Sequence, residues 1–139
     1  MNIHTEEFRI SSRGNSEVLD ITDQVSAILS KKELREGSAT VFVVGSTASI
    51  TTTEYEPGLR TDIPESLERV APRNHRYHHD DTWHDGNGHS HVRAAIMGCS
   101  LTVPFVNGSL MLGTWQQIVL VDHDNRPRER TIVVQLLGV

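Results

Sequence analysis

The sequence predicts an α+β domain, a largely antiparallel β-sheet or sandwich carrying two or three helices. Three observations predict it. Short β-branched and apolar runs recur around Phe8, Val41, Val103, Leu120 and Val133. Asn107-Gly108 stands between two such runs, the strongest two-residue hairpin signal available. Segments with helical spacing and cap residues fall between the first strands. The 139 residues show no internal repeat and no linker-like shift in composition, so residues 1–139 read as one domain.

Each element has a local reason. Thr5 to Ser12 alternates, with Glu6, Phe8 and Ile10 on one side and Glu7, Arg9 and Ser11 on the other, as in a strand with one wet face. Thr22 opens a helix that carries Val25, Ile28 and Leu29, with Gly37 placed to close it. Thr40 to Val44 reads as a buried strand and Ser49 to Thr53 as another. Asp62 is the expected cap of a second helix, with Pro64 in its first turn and Pro72 as its stop. Arg73 to Ser90 lacks periodicity and reads as a long loop, followed by a short helix capped by Ser90. Leu101 to Val106, Leu110 to Val121 and Thr131 to Leu137 read as strands. Pro104 belongs at a bulge or edge, and Asp122 to Arg130 reads as a solvated polar connection.

Composition narrows the function classes. The net charge of −5 and 5% aromatic content supply neither the basic groove nor the stacking platforms of a single-strand nucleic-acid binder. No apolar run approaches a membrane span and the N-terminus is not a signal peptide, so no membrane partner is expected. The single cysteine, Cys99, rules out a disulfide framework within the chain and fits a reducing, cytoplasmic compartment.

Histidine is the anomaly. Six of the eight histidines lie between His75 and His91. Neutral imidazole is a ligand for zinc and similar ions. His89 and His91 are two apart, so an extended chain points their rings the same way, and His79 lies far enough upstream to return as a third ligand. Asp80, Asp81 and Asp85 are alternate ligands or groups that orient ligand rings, and Gly86 and Gly88 permit a tight loop. The spacing matches no standard zinc motif. The opposing reading is a solvated loop that binds nothing.

Other residues carry weaker signals. The hydroxyls of Ser46 and Thr47 follow a buried strand and suit a phosphate, as does Arg93. Glu54 ends a Thr-rich strand, where a carboxylate serves as acid/base or is merely solvated. The polar run from Gly113 to Gln117 interrupts an apolar strand and marks a pocket or an interface.

Several of these segments together resemble the YjbQ family. They are Gly45 to Gly58, the loop ending Gly88-His89-Ser90-His91, and Ser100 to Gly108 continuing through Gly113-Thr114-Trp115-Gln116. The resemblance implies a small α+β protein that assembles as a homotrimer. It also implies recurring polar positions at Ser49, Glu54, His79, His91, Thr114 and Gln116. Its functional label implies a weak thiamine-phosphate synthase activity, a transferase joining a hydroxymethylpyrimidine diphosphate to a thiazole phosphate. This chain departs at Gly45, where many members have His.

The resulting expectation is a divalent metal ion, zinc or magnesium, on His79, His89 and His91. Glu54, Asp85 and His91 are the candidate catalytic groups. Ser46, Thr47, Ser49, Arg93, Thr114 and Gln116 are the candidate contacts to a small phosphorylated molecule. The rival readings are a metal-dependent hydrolase and a trimeric binding protein without turnover.

Overall fold

Alternation builds the larger sheet. In β8 (Arg128–Gly138), Arg130, Ile132, Val134 and Leu136 are buried and the residues between them are more open. β8 lies between β1 (Asn2–Ser12) and β3 (Glu36–Val44). β5 (Ser100–Val106) and the two-residue β6 (Ser109–Leu110) complete the order β1-β8-β3-β5-β6. The computed structural model describes residues 1–139, and every strand pair in it is antiparallel.

A second sheet, β2 (Glu17–Asp20), β7 (Gln117–Asp122) and β4 (Ala48–Thr53) in the order β2-β7-β4, packs against the first. Its central strand explains the unbroken apolar run Ile118-Val119-Leu120-Val121. Ile118 and Leu120 enter the main core with Val41, Phe105 and Leu136 of the large sheet and with Val25 and Leu29 of α1 (Thr22–Ser30). Val119 and Val121 face the other way, toward Val18 and Leu67 of α2 (Pro57–Val70). Each such side chain contributes about 1.5–3 kcal/mol by leaving water. No helix is long and apolar enough to cross a membrane.

The α+β antiparallel architecture stands, with four helices. Asn107 and Gly108 take φ of 53° and 72°, the left-handed pair a type I′ hairpin needs. Pro104 lies where β5 is nearly an edge. Its carbonyl accepts from Met111 N–H on the β6 side, so its donor-less nitrogen also faces away from β3.

Other boundaries move for identifiable reasons. α2 starts at Pro57, because the Glu56 carboxylate caps it by accepting from Gly58 N–H (2.8 Å) and Leu59 N–H (2.5 Å). Pro64 therefore lies inside that helix, not in its first turn. Gly37 does not end α1. It sits in β3, where a Cβ would stand 2.0 Å from the Leu137 carbonyl oxygen. The Leu110–Val121 run is not one strand, since a turn closed by Gln116 N–H on Gly113 C=O separates β6 from β7.

The stretch read as a loop from Arg73 to Ser90 contains α3 (His78–Trp83) and the start of α4 (Gly88–Met97). α3 is six residues long, too short to display a period, and His84 ends it in the left-handed conformation, φ 57°. The stretch from Asp122 to Arg130 is solvated only in part: Arg126, Pro127 and Glu129 are exposed, but Asp122, His123 and Asp124 are fully buried and Arg130 nearly so.

Candidate metal centre

Two short helices meet at this site. The Asp80 carboxylate of α3 accepts the Gly88 N–H at the start of α4, 3.0 Å away, so one helix caps the other. The approach is close enough that a Cβ at Gly88 would lie 2.4 Å from Tyr77 Cβ. Between the helices Gly86 takes φ 68°, and Asn125 Nδ2 donates to the Asp85 carbonyl at 2.8 Å, which pins the turn.

This arrangement brings His79 and His91 together, with ring centroids 4.3 Å apart. His79 Nε2 lies 3.3 Å from Asp85 Oδ1 and 3.1 Å from Asn87 Oδ1. One ligand atom each from His79, Asp80 and Asp85 falls within a 4.8 Å group. Burial, and then the neighbouring His79, push the His91 imidazole below its ordinary pKa, which favours the neutral form that ligates.

The Asn87 side chain bridges the group: with its amide nitrogen turned inward it donates to His79 Nε2 at 3.1 Å and to Asp85 Oδ1 at 2.9 Å. Imidazole nitrogen beside carboxylates suits zinc and related transition metals better than magnesium, which prefers six oxygens.

His89 is not part of this group. It lies on a helix, not on an extended chain, so it projects about 200° around the axis from His91. It is buried beside Tyr77, 6.4 Å between ring centroids. His75, His78 and His84 are exposed.

The remaining predicted residues separate. Ser46 is exposed and shares a cavity of about 440 Å³ with His91, Gly45, Ala95, Gly98 and Cys99. Thr47 is committed to the fold, donating to Asp124 Oδ2 (3.0 Å) and accepting from Arg130 Nη2 (2.6 Å). Ser49 bonds His123 Nε2 at 2.9 Å. Arg93 is no phosphate ligand at this site. It is buried and donates to Ala71 C=O, Ser16 Oγ and Glu68 Oε2. Glu54 is exposed, and Gln116 bonds Thr52 Oγ1 at 3.2 Å. Those two and exposed Thr114 lie by the Thr53–Gln117 end of the β4–β7 ladder, while Thr47 and His123 lie beyond its Ala48–Asp122 end. That separation is about 20 Å, one strand length.

A buried polar layer supports the centre, and its Asp122, His123, Asp124 and Arg130 were not among the expected site residues. Burial opposes ionisation of Asp122, but hydrogen bonds from Arg130 and Ser12 outweigh it and hold the carboxyl below its ordinary range. Asp124 is likewise held low against burial, by Asn125 N–H, Thr47 and Arg128. His123 lies between Ser16 Oγ (3.0 Å) and Ser49 Oγ (2.9 Å), and its carbonyl accepts from Ser90 Oγ in α4. Burial, then the nearby Arg93 charge, push it down to about 4, so it is neutral. The available signal was Asp-His-Asp directly after a buried strand, with arginines four and six residues beyond Asp124.

The family model described as UPF0047 protein YjbQ-like matches residues 6–139. The chain belongs to the YjbQ-like UPF0047 family. A UPF0047 protein from Methanothermobacter thermautotrophicus is 39% identical over 138 residues, covering 99% of this chain and 94% of its own. YugU of Bacillus subtilis is 32% identical over 131 residues, with 94% and 96% covered. The fold matches the crystal structure of a hypothetical protein from Aeropyrum pernix, with TM-score 0.91, 34% identity, and 98% and 99% covered. It also matches that of a YbjQ-like protein of unknown function from Sulfolobus solfataricus, with TM-score 0.89, 34% identity, and 99% and 100% covered.

These matches overturn the expected thiamine-phosphate synthase activity. The relatives carry only the UPF0047 designation, and one solved homologue is described as of unknown function. The transferase reading and the link to thiamine biosynthesis fall with it. YjbQ-family membership supports the fold and leaves chemistry to the site.

Proposed function

We propose that this protein binds a divalent transition-metal ion, zinc being the best fit, through His79 Nε2, Asp85 and His91. The observation that carries this reading is the convergence of ligand atoms from His79, Asp80 and Asp85 within 4.8 Å of one another, with the His91 ring 4.3 Å from that of His79. The neutral state favoured for His91 supports it. Asp124 stands near enough for its charge to act on His91 and adds negative potential.

His91 also lines the 440 Å³ cavity, so the ion would be reached from there. A small phosphorylated molecule is the proposed guest, with Ser46 as a hydroxyl donor at the cavity wall. When bound, the ion supplies Lewis acidity toward an oxyanion. The chain's own part is to position it: Asp80 ties α3 to α4, and Asn125 fixes the Asp85 turn. The lone cysteine supports a cytoplasmic setting. A homotrimer is retained as a proposal, supported by the exposed apolar side chains Phe42, Val44, Val106 and Leu137 on the outer face of the large sheet.

Equilibrium dialysis of untagged, chelator-stripped protein against zinc tests the reading. One ion per chain is expected, with affinity at least tenfold weaker in His79→Ala and in His91→Ala. Unchanged affinity in both variants would overturn it.

A further inference from the structure

A second polar cavity lies on the opposite side of α4, facing α2. Its volume is about 230 Å³, and Asn15, Glu65, Glu68, Arg73, His89 and Arg93 line it together with Pro64. None of these is a ligand in the metal centre, so the inference is independent of that reading.

His89 is the unusual member. It is 2% exposed, and its Nδ1 has no hydrogen-bond partner. Its protonation follows from a neighbour. Ser90 Oγ has one hydrogen and gives it to the His123 carbonyl, which can only accept. The 3.3 Å contact between Ser90 Oγ and His89 Nε2 must then run from Nε2–H to Oγ. In the neutral ring this leaves Nδ1 as a bare lone pair, a buried acceptor lacking a donor.

The rest of the lining defines what the cavity could hold. Arg93 Nη2 donates to Glu68 Oε2 at 2.6 Å, and Arg73 Nη1 donates to Asn15 Oδ1 at 2.7 Å. Both guanidiniums keep further N–H groups. Two cations beside two carboxylates give the cavity no net charge but opposite signs side by side. A metal ion is disfavoured by the two guanidiniums, and a lone anion by the carboxylates. A molecule with an N–H donor at one end and a carboxylate at the other matches both. We propose that this cavity binds a small zwitterion of the α-amino-acid type, its ammonium toward Glu65 and Glu68, its carboxylate toward Arg73 and Arg93, with His89 in the wall. The small volume limits the guest to about one amino acid.

The test is imidazole ¹⁵N NMR of the whole protein, titrated with L-alanine and, separately, with acetate and methylammonium. A saturable shift of the His89 Nδ1 resonance by alanine is expected, with each half-molecule binding at least tenfold more weakly. Arg73→Gln, at an exposed position, should weaken alanine at least tenfold, and His91→Ala should leave it unchanged. A resonance that alanine does not move overturns the proposal. Equal binding of alanine and acetate overturns it as well.

Discussion

His79 Nε2 and Asp85 Oδ1 stand 3.3 Å apart across the turn between α3 and α4. One belongs to a six-residue helix and the other to the loop that follows it. Asp85→Asn keeps the shape and removes the charge. It should weaken zinc affinity about 10–100-fold, measured by competition with a chromophoric chelator.

The His123 position makes stability depend on pH. Its folded pKa is about 4 against an ordinary 6.5. Between those values the unfolded chain binds the extra proton, so stability falls as pH falls through that window. The loss from this group is about 3 kcal/mol between pH 7 and pH 4. Asp122 and Asp124 are depressed carboxylates, and their contribution is lost only at still lower pH, below about 4. Urea midpoints across pH 4–7 should fall steeply in the wild type and much less in His123→Gln.

Arg130 neutralises a carboxylate that has no other cation. Its Nε and Nη2 reach the two oxygens of Asp122, which is fully buried, at 2.7 and 2.8 Å. Arg130→Met leaves that charge unpaired and should cost about 3–5 kcal/mol in denaturant unfolding.

Gly88 is where α4 passes Tyr77. A Cβ there would come within 2.4 Å of the Tyr77 Cβ and 2.8 Å of its Cγ. Gly88→Ala should destabilise the fold by about 1–3 kcal/mol and loosen the Asp80 cap. Zinc affinity should fall in the same variant, because α3 then no longer holds His79 in place.

The sheets were legible because Ile132, Val134 and Leu136 alternate and Asn107-Gly108 is unambiguous. β2 was not, since its four residues give no period. In the site, the pairing of His79 with His91 and Asp85 could be read from residue type. The placement of His89 could not, because it turns on whether residues 88–91 are helix or extended chain, and the cap that decides this comes from Asp80, eight residues away. His123 escaped notice because its partners, Ser16 and Ser49, lie 107 and 74 residues away.

The most direct measurement is zinc-edge X-ray absorption on the metal-loaded protein, read for the number of imidazole ligands. Two per ion are predicted in the wild type and in His89→Ala, and one in His91→Ala. An imidazole count unchanged by His91→Ala, or lowered by His89→Ala, would contradict the account.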